Sequence, residues 1–415
     1  MYKRVRVVLK DGDVFEGVLI PPTQYSDPDV VVVKLKNGYN VGVRRGKIGE
    51  LVELGEVPTA APPGEPPGVE GEKVWVLAAG GTILSKVDYT TGGVYPTLSV
   101  SYLLELLGGL ESPIELAEVT SKFSEDFTPA VWSLVAERAR EAFEGGARGV
   151  VVLHGTDTMH YTAAAMAFAF REAPGPIVLV GAQRSSDRPS TDAVLNLKAA
   201  LAVAARAPFG ESVVVMHKAS GDGVAAVHRG TRVRKMHTSR RDAFQSIDGR
   251  PLAEYMPDRD LLQILDRYKP RGGLVCRPKF DDNAALVKFF PGMRPEMLTA
   301  LVDMGIRGVV LEGTGFGHVG DYLLPAVKKL IDAGVVVAMT SQTLYGRTNL
   351  YVYRRGRELL SLGVVPLEDM LPEVAYVKMS WALANFKREE VPHVLTTPLA
   401  GEMSPRSDPL AFGEL

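Results

Sequence analysis

The sequence has a single cysteine, Cys276, in 415 residues. One thiol cannot form an internal disulfide or a Cys-rich metal centre, so both kinds of site are excluded, and the shortage fits a reducing compartment. The seven histidines are scattered singly, without the His-x-x-x-His spacing that places two ligands on one metal. We therefore expect no metal in this chain.

Long apolar runs and net charge are also missing. No apolar run approaches the roughly eighteen residues of a membrane span, and the first residues do not resemble a signal peptide. We therefore expect a cytoplasmic protein without a membrane partner. The 47 Lys and Arg residues against 49 Asp and Glu give a net charge of −2. Bulk electrostatics thus does not favour a polyanion-binding protein, and a nucleic-acid role would need a local patch.

The composition changes along the chain in a way that predicts three domains and a linker. Residues 1–56 alternate apolar and polar types around Asp11-Gly12 and Asn37-Gly38, which predicts a small all-β, barrel-like domain. Prolines and glycines over 57–72 indicate a semi-rigid linker. Strands then alternate with helices in 73–271 and in 272–415, a pattern typical of doubly wound α/β domains. The expected helices include one near 99–107, one that Thr128-Pro129 opens and Gly145-Gly146 ends, and one from Tyr322 to Ala333. Residues after about 390 are expected to form a tail that packs on the surface or on a partner.

The N-terminal β-domain carries basic residues that could contact RNA phosphates, including Lys3, Arg4 and Arg6 and the segment 44–47. Acidic residues between Asp11 and Asp29 nearly cancel their charge. We favour a solvated surface over an RNA-binding patch.

Chemistry is expected where the apolar strand 150–153 runs into small polar residues, ending in Thr156 and Asp157. Ligands of open α/β sheets bind outside the carboxyl ends of the strands, where Thr156 and Asp157 would face a crevice. The alternative is that both residues merely cap the helix that follows.

A second candidate lies after the strand 74–79, where Gly80 and Gly81 precede Thr82. The turn lacks the glycine spacing of a nucleotide loop, and it presents a hydroxyl suited to be a nucleophile. The following loop contains Tyr89 between possible glycine hinges, so it could close and relay a proton.

A hydroxyl nucleophile needs a base, and Lys235 is the candidate. Neighbouring cations at Arg232, Arg234, Arg240 and Arg241 would favour a neutral amine that can accept a proton. The alternative is an ordinary basic surface loop.

Four blocks resemble the signature motifs of bacterial-type L-asparaginases and glutaminase-asparaginases. They are Ala-Gly-Gly-Thr-Ile at 79–83, His-Gly-Thr-Asp-Thr at 154–158, Gly-Ala-Gln-Arg at 181–184 and Val-Arg-Lys-Met-His-Thr at 233–238. Their order and spacing agree over residues 73 to about 390, which implies two α/β domains of asparaginase type. The family's first motif usually begins with Thr where this chain has Ala79, a position that is not the nucleophile.

The resemblance also implies roles for the candidate residues. Lys235 would withdraw a threonine proton, and Asp157 would hold the lysine and the substrate ammonium. Either Thr82 or Thr156 could attack; we favour Thr82, whose loop with Tyr89 can exclude water. Ser124 and Glu125 match the block that grips the substrate α-carboxylate and α-amino group, although many asparaginases have Gln in place of Glu125. The turns at Gly81 and Gly155 could supply N–H donors for the oxyanion.

The β-domain and Pro-rich linker ahead of this body resemble the D-subunit family of archaeal two-subunit glutamyl-tRNA(Gln) amidotransferases. That resemblance implies an amidohydrolase that releases ammonia from glutamine or asparagine. A partner subunit, with ATP and Mg²⁺, would bind tRNA(Gln) and convert glutamyl-tRNA(Gln) to glutaminyl-tRNA(Gln). It also implies a homodimer within a heterotetramer, and no cofactor in this chain. The alternatives are a free-standing cytoplasmic L-asparaginase and a non-catalytic RNA-binding adaptor.

Overall fold

The structure is a computed structural model that describes residues 3–22, 27–35, 40–56, 73–80, 85–87, 94–96, 113–184 and 190–407. The first domain is the all-β module expected from the sequence. Its strands are β1 (Lys3–Leu9), β2 (Val14–Ile20), β3 (Val30–Leu35), β4 (Asn40–Arg44) and β5 (Ile48–Glu56). They form an antiparallel sheet in the order β4-β3-β2-β1-β5 around a valine-rich core.

The Asp11-Gly12 hairpin predicted from the sequence is confirmed. Gly12 joins β1 to β2 with a φ of +98°, a conformation that glycine adopts without steric cost. The second predicted hairpin, at Asn37-Gly38, lies outside the described residues. Basic side chains of this sheet pair with acidic ones, as Lys3 does with Glu53 at 2.7 Å and Arg4 with Glu16 at 2.7 Å. These pairs support the solvated surface over the RNA-binding patch.

The next domain is built on a large mixed sheet. Its strands are β6 (Val74–Ala78), β7 (Ser85–Val87), β8 (Val94–Pro96), β9 (Ile114–Glu118), β10 (Gly149–Leu153), β11 (Phe170–Glu172), β12 (Ile177–Val180), β13 (Ser212–His217), β14 (Ala225–Arg229), β15 (Val233–Lys235), β16 (Phe244–Ser246), β17 (Ala253–Met256) and β18 (Leu261–Ile264). Its helices are α1 (Pro129–Glu144), α2 (Met159–Ala169) and α3 (Ala193–Arg206). Buried residues of the sheet and these helices form two apolar clusters, one on each face, as expected for a doubly wound domain.

The main sheet of this domain has the order β18-β17-β14-β13-β12-β10-β6-β9 in the described part of the chain. The strands from β13 to β9 are parallel, as predicted, whereas β14, β17 and β18 add an antiparallel edge. Since β6, β10 and β12 are parallel neighbours, their carboxyl ends lie at one edge of the sheet. The polar turns singled out in the sequence follow these three strands.

Helix boundaries follow local sequence punctuation. Helix α1 has Thr128 at its N-cap, Pro129 in the first turn and Gly145 at its C-cap, as predicted. The helix expected around residues 99–107 lies outside the described residues.

The last domain carries a four-stranded parallel sheet, ordered β20-β21-β22-β23. Its strands are β19 (Val275–Cys276), which pairs with β11, then β20 (Ala284–Lys288), β21 (Gly308–Gly313), β22 (Val336–Ser341) and β23 (Val365–Pro366). Its helices are α4 (Glu296–Asp303), α5 (Leu324–Asp332), α6 (Arg354–Leu362), α7 (Pro372–Asn385) and α8 (Val391–Thr396). Helix α5 begins later than the predicted Tyr322, because a 3-10 turn over Asp321–Leu323 precedes it.

The segment after residue 390 packs on this same chain. Val391 and Leu395 of α8 are fully buried, and so is Glu402 beyond it. Lys378 of α7 donates to Glu402 Oε1 at 2.6 Å and to the carbonyl oxygens of Leu395 and Thr397. The tail is therefore held by a buried ion pair. No helix in the described ranges is long and apolar enough to cross a membrane.

Candidate active site

The site begins at the carboxyl end of β10. All five residues of this strand are buried, and the chain then passes through His154 and Gly155 to Thr156 and Asp157. Thr156 is 6% exposed, whereas the Asp157 side chain is 70% exposed. The N-cap of α2 is Thr158, whose hydroxyl makes no capping bond and donates instead to Ser124 O at 2.6 Å. Thr156 and Asp157 therefore do not serve as the helix cap, which disfavours the capping alternative.

Lys235, at the end of β15, reaches across to both residues. Its Nζ lies 2.8 Å from Thr156 Oγ1 and 2.7 Å from Asp157 Oδ1. The lysine side chain is only 9% exposed, so the structure does not support an ordinary basic surface loop. Thr156, Asp157 and Lys235, all predicted from the sequence, thus meet, although Lys235 lies 79 positions after Thr156 and 78 positions after Asp157.

Ser124 and Glu125 lie beside the same turn. Ser124 is buried, and a Cβ atom added to Gly155 would lie 2.7 Å from Ser124 Cβ. Only glycine therefore permits the two segments to approach so closely. Glu125 is exposed, and its Oε2 lies 3.5 Å from Ser124 Oγ, at the limit of a hydrogen bond. The predicted substrate-binding residues Ser124 and Glu125 therefore lie beside the turn that carries Thr156 and Asp157.

The buried ring of His154 makes hydrogen bonds that stabilise the turn after β10. His154 Nδ1 donates to Gly155 O at 2.6 Å, and Nε2 accepts from Thr162 Oγ1 at 2.8 Å, which corresponds to a neutral ring. Burial lowers the pKa of His154 to about 4, and the ring packs edge-on against Phe127. Burial, with Arg234 and Lys235 nearby, lowers the pKa of His160 to about 3. The role of neither histidine could be predicted from the sequence, because a lone histidine in a sequence does not show whether it supports a turn or binds a ligand.

The arginines expected to crowd Lys235 are paired with carboxylates. Arg232 pairs with Asp369 at 2.9 Å, Arg234 with Glu373 at 3.5 Å, Arg240 with Asp242 at 2.7 Å and Arg241 with Asp222 at 2.9 Å. The positive charges expected to favour a neutral Lys235 amine are therefore compensated by carboxylates, and the expectation itself stays a prediction. Asp369 and Glu373 come from a distant part of the chain, so local sequence could not show them.

The turn after β12 completes the described rim of the site. A Cβ atom added to Gly181 would lie 2.9 Å from Thr156 Cγ2, so this turn packs directly on the threonine. Buried Asp192 accepts from the backbone N–H groups of Gln183 and Arg184 at 2.9 to 3.0 Å. Residues 181–184, one of the four motif blocks, therefore form one side of the site. Asp192 holds this turn in place, and no motif in the sequence indicated that role.

Thr82, Tyr89 and Gly81 lie outside the described residues, so their predicted roles stay predictions. The chain leading to them leaves the sheet at the site, because Ala78 of β6 pairs with Leu153 of β10 and Ala79 N donates to Leu153 O at 3.0 Å. Within the part of the chain that the structure describes, no group of three or more His, Cys, Asp or Glu side chains could hold a metal ion.

Three family models match the chain in order. The GatD N-terminal domain matches residues 1–54, the asparaginase N-terminal domain residues 73–266, and the glutaminase/asparaginase C-terminal domain residues 283–393. A solved structure, the thermostable L-asparaginase from Thermococcus kodakarensis, superimposes with a TM-score of 0.72 at 33% identity. It covers 80% of this chain and 100% of its own. The expected asparaginase-type fold is confirmed.

Some relatives match this chain along nearly its whole length. The D subunit of the glutamyl-tRNA(Gln) amidotransferase from Pyrobaculum aerophilum is 76% identical over 417 residues, which cover 100% of both chains. The protein of the same name from Thermofilum pendens is 49% identical over 98% of this chain and 94% of its own. Identity at this level extends through the β-domain and linker as well as the asparaginase-type body, and the chain belongs to the family of glutamyl-tRNA(Gln) amidotransferase D subunits.

Proposed function

We propose that this chain is the amidohydrolase subunit of a tRNA-dependent amidotransferase, releasing ammonia from the side-chain amide of glutamine or asparagine. The observation that carries the proposal is the contact of Lys235 Nζ with both Thr156 Oγ1 and Asp157 Oδ1. A hydroxyl, an amine that can take its proton and a carboxylate that orients the amine are the groups that acyl transfer requires.

The chemistry follows from this arrangement. In its neutral form, Lys235 would accept the proton of a threonine hydroxyl, whose oxygen attacks the amide carbon. The resulting oxyanion is stabilised by backbone N–H groups of the glycine-containing turns. Ammonia leaves with a proton returned from the lysine, and water then hydrolyses the acyl-enzyme ester to a carboxylate. Asp157, exposed on one side, can hold the substrate ammonium, while Ser124 with Glu125 forms the neighbouring edge.

The attacking hydroxyl is assigned to Thr82, with Tyr89 as its loop partner, and Thr156 is the alternative. The contact of Lys235 with Thr156 supports a proton path through Thr156. It is compatible with either nucleophile, because a shared base can serve both hydroxyls of one small site.

The destination of the ammonia is proposed from the relatives, which are named for an amidotransferase acting on glutamyl-tRNA(Gln). A partner subunit would bind ATP, Mg²⁺ and most of the tRNA and would convert glutamyl-tRNA(Gln) to glutaminyl-tRNA(Gln). We further propose a cytoplasmic homodimer of this chain within a heterotetramer, since two-fold assemblies are the commonest closed oligomers.

A free-standing asparaginase is the second candidate, but the comparisons do not favour it, because the Thermococcus kodakarensis L-asparaginase matches 80% of this chain and the D subunit from Pyrobaculum aerophilum matches all of it. The non-catalytic adaptor is disfavoured, because Thr156, Asp157 and Lys235 are present and in contact.

Ammonia release distinguishes these candidates. The isolated chain is assayed with glutamine and with asparagine, then again with the partner subunit, glutamyl-tRNA(Gln) and ATP. An amidotransferase subunit gives low glutaminase activity alone and a marked increase in the complex. Full, tRNA-independent asparaginase activity without a stable partner would support the free-standing enzyme, and no hydrolysis under any condition would support the adaptor.

A further inference from the structure

The strand that carries Lys235 is not part of the main sheet. In the described ranges β15 pairs only with β16, in a short two-stranded ribbon. Side chains alternate along such a strand. Val233 is fully buried in the core and Lys235 faces Thr156, so Arg234 lies on the opposite side, and Arg232 immediately precedes the strand. The contacts that hold Arg232 and Arg234 therefore influence where the Lys235 amine lies.

Arg232 is gripped by the C-terminal domain. It is 4% exposed, and its Nη2 lies 2.9 Å from Asp369 Oδ2 while its Nη1 donates to Asp369 O at 3.2 Å. Its Nε donates to Gly401 O at 2.9 Å, and Nη2 also donates to Ser404 Oγ at 2.9 Å. Asp369 in turn accepts from Ser404 N at 3.1 and 3.2 Å. The guanidinium is thus tied both to the turn before α7 and to the tail.

Arg234 meets the same part of the C-terminal domain. Its Nε lies 3.5 Å from Glu373 Oε1, and the Glu373 side chain is 3% exposed. Glu373 Oε1 has no hydrogen-bond partner among the described residues, so this contact is a long ion pair rather than a hydrogen bond. Burial raises the pKa of Glu373, and Arg234 opposes that rise. Asp369 and Glu373 therefore approach one side of β15 from neighbouring positions in the chain.

We propose that Arg232 and Arg234, held by Asp369 and Glu373, form a positioning clamp through which the C-terminal domain sets the place of the Lys235 amine. The clamp residues act through the lysine and are not catalytic residues themselves. The inference rests on the proposed function, in which Lys235 is the base. It predicts that loosening the clamp slows the chemical step more than it weakens substrate binding.

The size of the effect follows from the short contacts at the lysine. Displacement of a catalytic group by about 1 Å can cost on the order of 10²-fold in rate. We therefore expect about a tenfold or greater loss of kcat when either carboxylate is neutralised. KM should change by less than about twofold, since the substrate-binding edge at Ser124 and Glu125 belongs to a different segment from the clamp.

The test uses Asp369→Asn and Glu373→Gln, which remove charge with little change in shape. Glutamine and asparagine hydrolysis is measured by the whole chain, alone and with its partner subunit, at a temperature where circular dichroism shows the fold intact. The control is Asp260→Asn, which breaks the Arg206 ion pair of 2.6 Å near β18. Its kcat should equal that of the wild type.

The outcomes separate the clamp from a merely structural role. A lower kcat with little change in KM for the clamp variants, and not for Asp260→Asn, supports the proposal. Wild-type kcat per folded molecule, even with a lower melting temperature, overturns it. If Asp369→Asn does not fold, Glu373→Gln decides alone, because its Oε1 makes no hydrogen bond within the described ranges that the substitution would break.

Failure of the clamp is distinguishable from failure of the proposed function. Lys235→Met is measured in parallel. If Lys235→Met is inactive while both clamp variants keep wild-type kcat, only the clamp is refuted. If Lys235→Met retains wild-type turnover, the assignment of the base fails, and the clamp fails with it.

Discussion

Replacing Lys235 by methionine removes one amine that contacts two groups of the site. The substitution keeps most of the aliphatic length of the side chain but leaves Thr156 Oγ1 and Asp157 Oδ1 without their partner at 2.8 and 2.7 Å. If Lys235 is the base, kcat should fall about 10²- to 10⁴-fold, the usual contribution of general base catalysis. At about 1.4 kcal/mol for each factor of ten, that is roughly 3 to 6 kcal/mol of barrier.

The same substitution should leave the protein folded. The buried Thr156 hydroxyl loses a hydrogen bond, which costs about 1 to 3 kcal/mol. Asp157 is 70% exposed, so water can replace the lysine there, and the loss of that ion pair costs about 1 kcal/mol or less. The total cost of about 1 to 4 kcal/mol should lower the melting temperature by roughly 2 to 16 °C, at about 2 to 4 °C for each kcal/mol.

The assay is ammonia release from glutamine and asparagine, with Lys73→Met as the matched control. Lys73 pairs with Glu115 at 2.9 Å next to the amino ends of β6 and β9, at the far edge of the sheet from the site. Its variant should keep wild-type kcat. Turnover by folded Lys235→Met within about threefold of the wild type would refute general base catalysis by this lysine.

Three further outcomes are expected. Rapid quenching during turnover, followed by peptide mapping, should find the acyl group on Thr82; an acyl group on Thr156 would reverse that assignment. Because burial lowers the pKa of His154 from the ordinary 6.5 to about 4 in the fold, the unfolded chain binds more protons between these values. Stability is then full above about pH 6.5 and falls towards pH 4, by up to about 3 kcal/mol from this group. Urea denaturation across that window should show a shallower slope of stability against pH for His154→Gln, and an unchanged slope would contradict the cause. Lys378→Met should cost about 3 to 5 kcal/mol in the free energy of unfolding, because it leaves Glu402 buried without its cation; an unchanged urea midpoint would show that the pair contributes little.

The sequence predicted those helices and strands whose boundaries depend on neighbouring residues. The Thr128-Pro129 start and Gly145 end of α1 agree with the structure, as does the strand that ends at Leu153. The sequence did not predict the antiparallel edge of the main sheet, because β17 buries only alternate residues, β18 buries none, and neither forms a long apolar run. Tertiary pairing decides such strands, so propensity alone could not find them.

In the candidate site too, features with a local cause could be predicted from the sequence, whereas long-range contacts could not. Thr156 and Asp157 follow an apolar strand, and this pattern indicates a crevice without any partner being known. Lys235 was tied to them mainly by the family resemblance, since 78 residues separate it from Asp157. The partner of Arg232 was out of reach, because Asp369 lies 137 positions along the chain and only the folded structure brings them together.

The most direct measurement follows the amide nitrogen into the product. The complex of this chain with its partner subunit is given ¹⁵N-amide glutamine, glutamyl-tRNA(Gln) and ATP, and ¹⁵N is measured in the glutaminyl-tRNA. We expect ¹⁵N transfer with the wild-type chain and none with Lys235→Met, while free ¹⁵N-ammonium should restore product formation in the variant complex. Transfer from glutamine by the Lys235→Met complex, or failure of ammonium to restore it, would contradict the assignment of ammonia release to this site.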